Sequence, residues 1–267
     1  MAKALYDGVN GIARKVKKKY DGVNGIARKV KKAYDGVNGI ARQYWSSAPP
    51  IGELPVGTSV YMNVSGVRKE FLIVHQGLPS SIYDSSCNGT WLLMKNIHTK
   101  KVGGSTNHYY QNSSIHTYLN DTFYPLFDAN IKPLIKQVKI PYYSAKNTVS
   151  SGANGFAVRV FILSAIEIGA YGTWSGGYAV TQDGARLEYF PQVHTNIVQS
   201  HLVTKYNGTN TLWATRSPVS SGDSSSVAHV DERGRLMSSY ISNTFGVRPA
   251  LILPSDTGYN ESFDIIT

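Results

Sequence analysis

One cysteine, Cys87, stands in 267 residues, which excludes an intrachain disulfide and any cysteine-based zinc site. No run of about 18 apolar residues is present, so no transmembrane helix is expected. The N-terminus lacks an apolar stretch followed by a small-residue cleavage site. No secretory signal is therefore expected, and a route out of the cell would be another one, such as lysis of a host. The seven histidines, at 75, 98, 108, 116, 194, 201 and 229, form no H-E-x-x-H or other paired metal spacing. No G-x-S-x-G nucleophile elbow occurs, and "DANIKPLIK" carries too few acids for a calcium loop. "GGYAVTQDGA" has glycines without a following helix, which argues against a phosphate cradle. Glu167 and Glu188 are carboxylates whose separation the sequence does not fix. These absences point away from an enzyme and from any metal or cofactor.

What is present suggests a β-rich, loop-rich globule: 42% hydrophobic residues, 25 glycines and 18 tyrosines. Charge is uneven. Residues 1–45 hold 11 Lys/Arg and three Asp, a net of +8, while the other 222 hold 16 Lys/Arg and 14 Asp/Glu. The basic segment is a repeat. "YDGVNGIAR" recurs with a 14-residue period, so that Tyr6, Tyr20 and Tyr34 correspond, as do Ile12, Ile26 and Ile40. Alternation along "IARKVKKKY" reads as one strand per unit, and "DGVNG" as the connecting turn, giving a short antiparallel meander. Three such strands are marginal alone, so the repeat reads as an assembly or docking module whose neighbours are other copies or a partner protein. Lysines on regular strands with few interleaved stacking aromatics disfavour nucleic acid.

The expected layout is a basic β-repeat module over 1–46, a Ser/Pro/Gly-rich linker over 47–55, and one domain over 56–267. Within it, "TSVYMNV" and "KEFLIVHQG" read as a hairpin, and "GTWLLMKNI", "VRVFIL" and "RPALILP" as strands. In residues 113–127, Ile115, Leu119 and Phe123 share a helical face, with Ser113 or Ser114 as N-cap. "NIKPLIKQV" reads as a second short helix with Pro133 in its first turn. The fold class so expected is α+β, with antiparallel strands, two helices and long loops.

Five stretches, in this order, carry a resemblance: "TWLLMKNI", "IHTYLNDTF", "VFILSAIEIG", "LWATRSP" and "FGVRPALILPSD". Together they resemble an uncharacterised domain family of bacteria and phages with a W-L-R-S-P…G-V-R-P-A signature, over roughly residues 56–255. Here the first element is "WATRSP", so the leucine is replaced and one residue is added. The resemblance implies a C-type-lectin-like fold related to the formylglycine-generating enzymes. It also implies kinship with target proteins of diversity-generating retroelements, in which the stretch before "GVRPA" is varied to change ligand binding. An oxidase of that group needs a reactive cysteine arrangement, and Cys87 alone does not supply one. "GVNGIARKVKKAY" is similar to repeats at the start of phage virion proteins.

Trp213, Arg216, Gly246 and Arg248 in the two C-terminal motifs read as structural anchors. Between them, residues 219–245 are rich in short polar residues with an occasional Tyr, His or Arg, the composition of an adaptable binding surface. The candidate ligand contacts are Ser220, Ser221, Asp223, Ser225, His229, Asp231, Arg233, Arg235, Ser239, Tyr240 and Ser242. The function expected is that of a phage virion protein, at a tail tip, fibre or particle surface, which binds a bacterial protein or glycan through this face. Its other partners would be virion proteins and further copies of itself, a trimer suiting a fibre, with no membrane involved. The alternative is a decoration or baseplate protein without a host ligand.

Overall fold

The computed structural model describes residues 48–104, 109–144, 148–173, 179–219 and 225–266, together with six strands inside 6–46. Those six strands pair as three hairpins: Tyr6–Val9 with Ile12–Lys15, Lys19–Val23 with Ile26–Val30, and Lys32–Val37 with Ile40–Ser46. The unit is therefore a hairpin within each phrase, not one strand of a meander. Val9 pairs with Ile12, Val23 with Ile26 and Val37 with Ile40, so only two residues separate the partners. The Asp-Gly dipeptide, expected in a turn, lies inside the first strand of each hairpin. It sets Asp7 opposite Arg14, Asp21 opposite Arg28 and Asp35 opposite Arg42.

Ten strands form the frame of the following domain: β1 (Ser59–Val64), β2 (Val67–Gly77), β3 (Gly89–Met94), β4 (Thr99–Val102), β5 (Val160–Phe161), β6 (Trp213–Pro218), β7 (Ser226–Val230), β8 (Leu236–Tyr240), β9 (Thr244–Val247) and β10 (Ala250–Leu253). They make two five-stranded sheets. Sheet A runs β5-β10-β3-β2-β1, and sheet B runs β4-β9-β6-β7-β8. Every residue of β3, β6, β7 and β10 is buried, which explains why β3 and β10 read as near-continuous apolar or small-residue runs rather than alternating ones. Buried residues of both sheets, among them Phe71, Trp91, Phe161, Trp213 and Phe245, belong to one continuous core.

The only helical segment longer than one turn among the described residues spans 114–126. It is an α turn (Ser114–Thr117), widened π turns (Tyr118–Phe123) and a closing 3-10 turn (Tyr124–Leu126). Ser113 caps it, its hydroxyl accepting from His116 N–H at 3.0 Å. Ile115, Leu119 and Phe123 are buried along the expected face. The second expected helix is only a 3-10 turn, Lys132–Leu134. After it, Lys136 N–H donates to the Ile252 carbonyl, and Val138–Ile140 pairs with Phe156–Val158, so strand periodicity wins over the helical start at Pro133. The two-helix, C-type-lectin-like α+β arrangement is thereby overturned. The described residues are mostly β, in two five-stranded sheets and several two-stranded ladders, with one helical segment of 13 residues.

Part of the expected linker also belongs to the domain. Ile51 is fully buried, its N–H donates to the Thr257 carbonyl at 2.8 Å, and Gly52 N–H reaches Ser255 O. No helix of the described residues is long and apolar enough to cross a membrane.

Candidate functional site

The two C-terminal motifs meet where the chain crosses between the sheets. β3 leads from sheet A into sheet B through residues 95–98, and β9 returns through Arg248 and Pro249 to β10. Arg248 holds both crossings. Its Nε donates to the Met94 carbonyl at 2.8 Å, and its guanidinium lies 5.0 Å from the Trp213 ring centroid. Burial pushes its pKa down to about 10. Trp213 is fully buried, and its indole N–H donates to Leu202 O at 2.9 Å. Trp213 pairs in parallel with Gly246. A Cβ on Gly246 would come within 2.6 Å of Leu212 O and 2.5 Å of the Ile97 side chain, so only glycine admits this approach of β6 and β9.

Arg216, two residues before Pro218, is the centre of a buried polar network. It forms a bidentate pair with Glu167, with both contacts at 2.6 Å and neither side chain exposed. Its remaining donors go to the carbonyls of Pro141, Ile162 and Asp183. Burial alone would lower the Arg216 pKa, but the Glu167 charge holds it well above the usual value. Tyr83 OH donates to Glu167 Oε1 at 2.7 Å, and burial beside that carboxylate pushes the phenol well above its usual range. Ser164 and Glu167 exchange bonds: Ser164 N–H donates to Glu167 Oε2 and Glu167 N–H to Ser164 Oγ. Ser217 Oγ donates to Asp183 and accepts from Ala165 N–H, and burial pushes the Asp183 carboxyl up to about 6 against the pull of Arg216. Glu167, Asp183 and Tyr83 were missed as anchors by sequence reasoning. The "SAIE" capping box at 164–167 was the legible signal for Glu167; Asp183 and Tyr83 had none.

Of the candidate ligand contacts, Ser220, Ser221 and Asp223 lie outside the described residues. The others divide by burial. His229 sits in the middle of β7, 8% exposed, with its ring 5.6 Å from that of Phe245 and no partner for Nδ1 among the described residues. β7 stops at Val230. Asp231 then closes a turn, accepting at Oδ1 from the N–H groups of Arg233 (3.0 Å) and Arg235 (2.7 Å) and at Oδ2 from Arg235 Nε (2.7 Å). Burial alone would raise the Asp231 pKa, but these bonds hold it below the usual carboxylate range. Gly234, at φ 84°, completes the turn, and a Cβ there would lie 2.0 Å from Gln199 O. Arg233 is exposed, and Arg235 is committed to Asp231. Ser225 is half-buried at the start of β7.

The accessible set is carried by β8, the edge strand of sheet B. Ser238 and Tyr240 are exposed, Ser239 is half-buried, and Ser242 and Asn243 follow in the open. Tyr240, at 63%, is the most exposed large hydrophobic side chain of the described residues. Asn243 Nδ2 bonds Ser239 Oγ at 2.5 Å, and Asn243 N–H bonds Tyr240 O, which ties the end of the strand to the turn after it. Behind this face a cavity of about 20 Å³, lined by Tyr110, Thr215, Val227, Ile241 and Phe245, has room for little more than a water. No cluster of three metal-ligating side chains occurs among the described residues.

The burial of His229 has a measurable consequence. Its ring is pushed down to about 4 by burial, against an ordinary value of 6.5, so the folded domain keeps it neutral where the unfolded chain takes up a proton. Its contribution is complete above pH 6.5 and is lost as the pH falls towards 4, at most about 3 kcal/mol. Asp183 acts in the opposite sense, favouring the fold below its unfolded value of 3.8 and losing that contribution as the pH rises through about 6. Comparison of His229→Phe with wild type isolates the histidine. In urea unfolding at pH 7 and pH 4.5, the variant should lose less stability on acidification than wild type. An equal loss would place the ring in water.

A family model described as a domain of unknown function (DUF6273) matches residues 88–255, more than half of the chain. The match begins later than the expected resemblance and takes in β3 to β10, including both C-terminal motifs and the Arg216 network except Tyr83. No curated protein and no solved structure matches the chain.

Proposed function

We propose, on the premise that the chain belongs to the DUF6273 family, that it is a ligand-displaying protein of a phage particle, which binds a bacterial surface protein or glycan through the outer edge of sheet B. One observation carries this reading: β8 and the turn after it present Tyr240 at 63% exposure among Ser238, Ser239, Ser242 and Asn243, beside the fully buried strands β6 and β7. A rigid aromatic anchor among short, adaptable polar side chains is the composition of a recognition surface. The buried anchors Trp213, Arg216 and Arg248 keep that edge in place while its exposed residues vary at little cost to the fold. The resemblance to retroelement-varied proteins and the virion-type repeats supply the phage context. The hairpin repeats are the joining module, and several copies on one particle would let each contact be weak. Recognition of this kind is non-covalent and calls for no catalytic group or cofactor.

The test is binding of the labelled full chain to bacterial cells. Tyr240→Ala should weaken binding at least about tenfold, as loss of an interface anchor does, with the melting temperature unchanged because the ring is exposed. If Tyr240→Ala and Ser239→Ala, Ser242→Ala all bind as wild type, the edge carries no ligand, and the decoration-protein reading takes its place.

A further inference from the structure

The opposite edge of sheet B has a different character. β4, "TKKV", is the other edge strand, and two segments without a single carboxylate meet beside it. Residues 85–120 and 189–222 contain no Asp or Glu. They are joined by Ile97 N–H donating to Lys205 O at 3.0 Å and by Thr204 Oγ1 donating to Lys95 O at 2.9 Å. Lys69, Lys100, Lys101 and Lys205 gather around this seam, and none is paired with a carboxylate among the described residues. Glu70 is engaged by Lys95 and Ser59.

The lysines are positioned by aromatic rings. Lys101 Nζ lies 4.4 Å from the Tyr118 ring centroid, and Lys100 Nζ lies 5.2 Å from that of Tyr206. Tyr118 OH is 3.0 Å from His98 Nε2, and the His98 ring lies 4.5 Å from that of Phe123. Burial, with Lys69 nearby, pushes His98 down to about 4, so it holds Tyr118 as a neutral ring.

We infer that this edge is a binding site for a linear polyol- or sugar-phosphate polymer, with Lys100 and Lys101 as the phosphate contacts and Lys69 and Lys205 extending the track. Consecutive strand residues point to opposite sides, so the two ammonium groups flank the strand rather than converge on one point. That arrangement suits a chain of spaced phosphates, which lysine meets as a point charge. Nucleic acid fits less well. Single strands bind by stacking bases on open aromatic faces, whereas the faces of Tyr118 and Tyr206 are approached by lysines. The site lies across the sheet from Tyr240 and does not depend on the β8 surface.

The experiment measures binding of the full chain to poly(glycerol phosphate) over a range of salt, beside a single-stranded oligonucleotide of equal charge. The basic repeats are the same in every protein compared, so differences report the edge. The double variant Lys100→Gln/Lys101→Gln should bind the polymer ~tenfold more weakly, with a salt slope smaller by about two. Oligonucleotide binding should not change. Lys69→Gln and Lys205→Gln should each weaken polymer binding to a lesser degree, and Lys139→Gln, exposed elsewhere, should not. All five side chains lie at or near the surface, so melting temperatures should match wild type. Three results overturn the inference: no binding of the full chain to the polymer, an unchanged affinity and salt slope in the double variant, or an equal loss of oligonucleotide binding.

Discussion

Arg216→Met is expected to destabilise the domain by about 3–5 kcal/mol, a fall in melting temperature of roughly 10 °C. The reason is the asymmetry of a buried ion pair. Both side chains are fully buried, and Arg216 supplies two of the bonds to the Glu167 carboxylate. Methionine fills much of the volume but leaves that carboxylate with only Tyr83 OH and the Ser164 N–H. It also strands the carbonyls of Pro141, Ile162 and Asp183. Removing both charges is different, because a well-packed apolar pair often matches a buried ion pair in stability. Glu167→Leu/Arg216→Met should therefore recover part of the loss. Thermal and urea unfolding of the two single variants and the double variant separate the cases. A single Arg216 variant within 1 kcal/mol of wild type would mean that water reaches the network.

Trp213→Ala should be comparably severe, about 3–5 kcal/mol, because it empties a fully buried site at the junction of the two sheets. It also uncovers Arg248, whose guanidinium has one bond, to Met94 O, and the indole face as its described partners. Trp213→Phe keeps most of the bulk and loses the bond to Leu202 O, so it should cost only about 1–2 kcal/mol. The two substitutions thus divide packing from hydrogen bonding at one position. Equal losses would mean that the polar contact dominates.

Local patterns were read well where one segment decided its own structure. The β1–β2 hairpin has its two-residue turn at Ser65 and Gly66, both with positive φ, where "SGVR" suggested one. The helical face of Ile115, Leu119 and Phe123 and the cap at Ser113 stand as the spacing implied. Failures came where distant segments compete. "NIKPLIKQV" starts like a helix, but Lys136 N–H donates to the Ile252 carbonyl and Val138 pairs with Val158, so partners outside the segment decide its second half. The repeat offered two turn dipeptides per unit, and pairing left one of them inside a strand. In the candidate site, composition pointed to residues 219–245 but could not sort them by exposure. His229 and Tyr240 look equally suited to a ligand in the sequence. β7 is covered on both sides and β8 is an edge, and that order is a property of the sheet.

The central claim is that the outer edge of sheet B meets a ligand on bacterial cells. Its most direct test is hydrogen exchange on the full chain, with and without isolated envelopes of bacteria that the chain binds. The account predicts new protection at residues 236–243, with the buried strands β6 and β7 already slow in both states. Protection confined to other segments, with 236–243 exchanging as in the free protein, would contradict it.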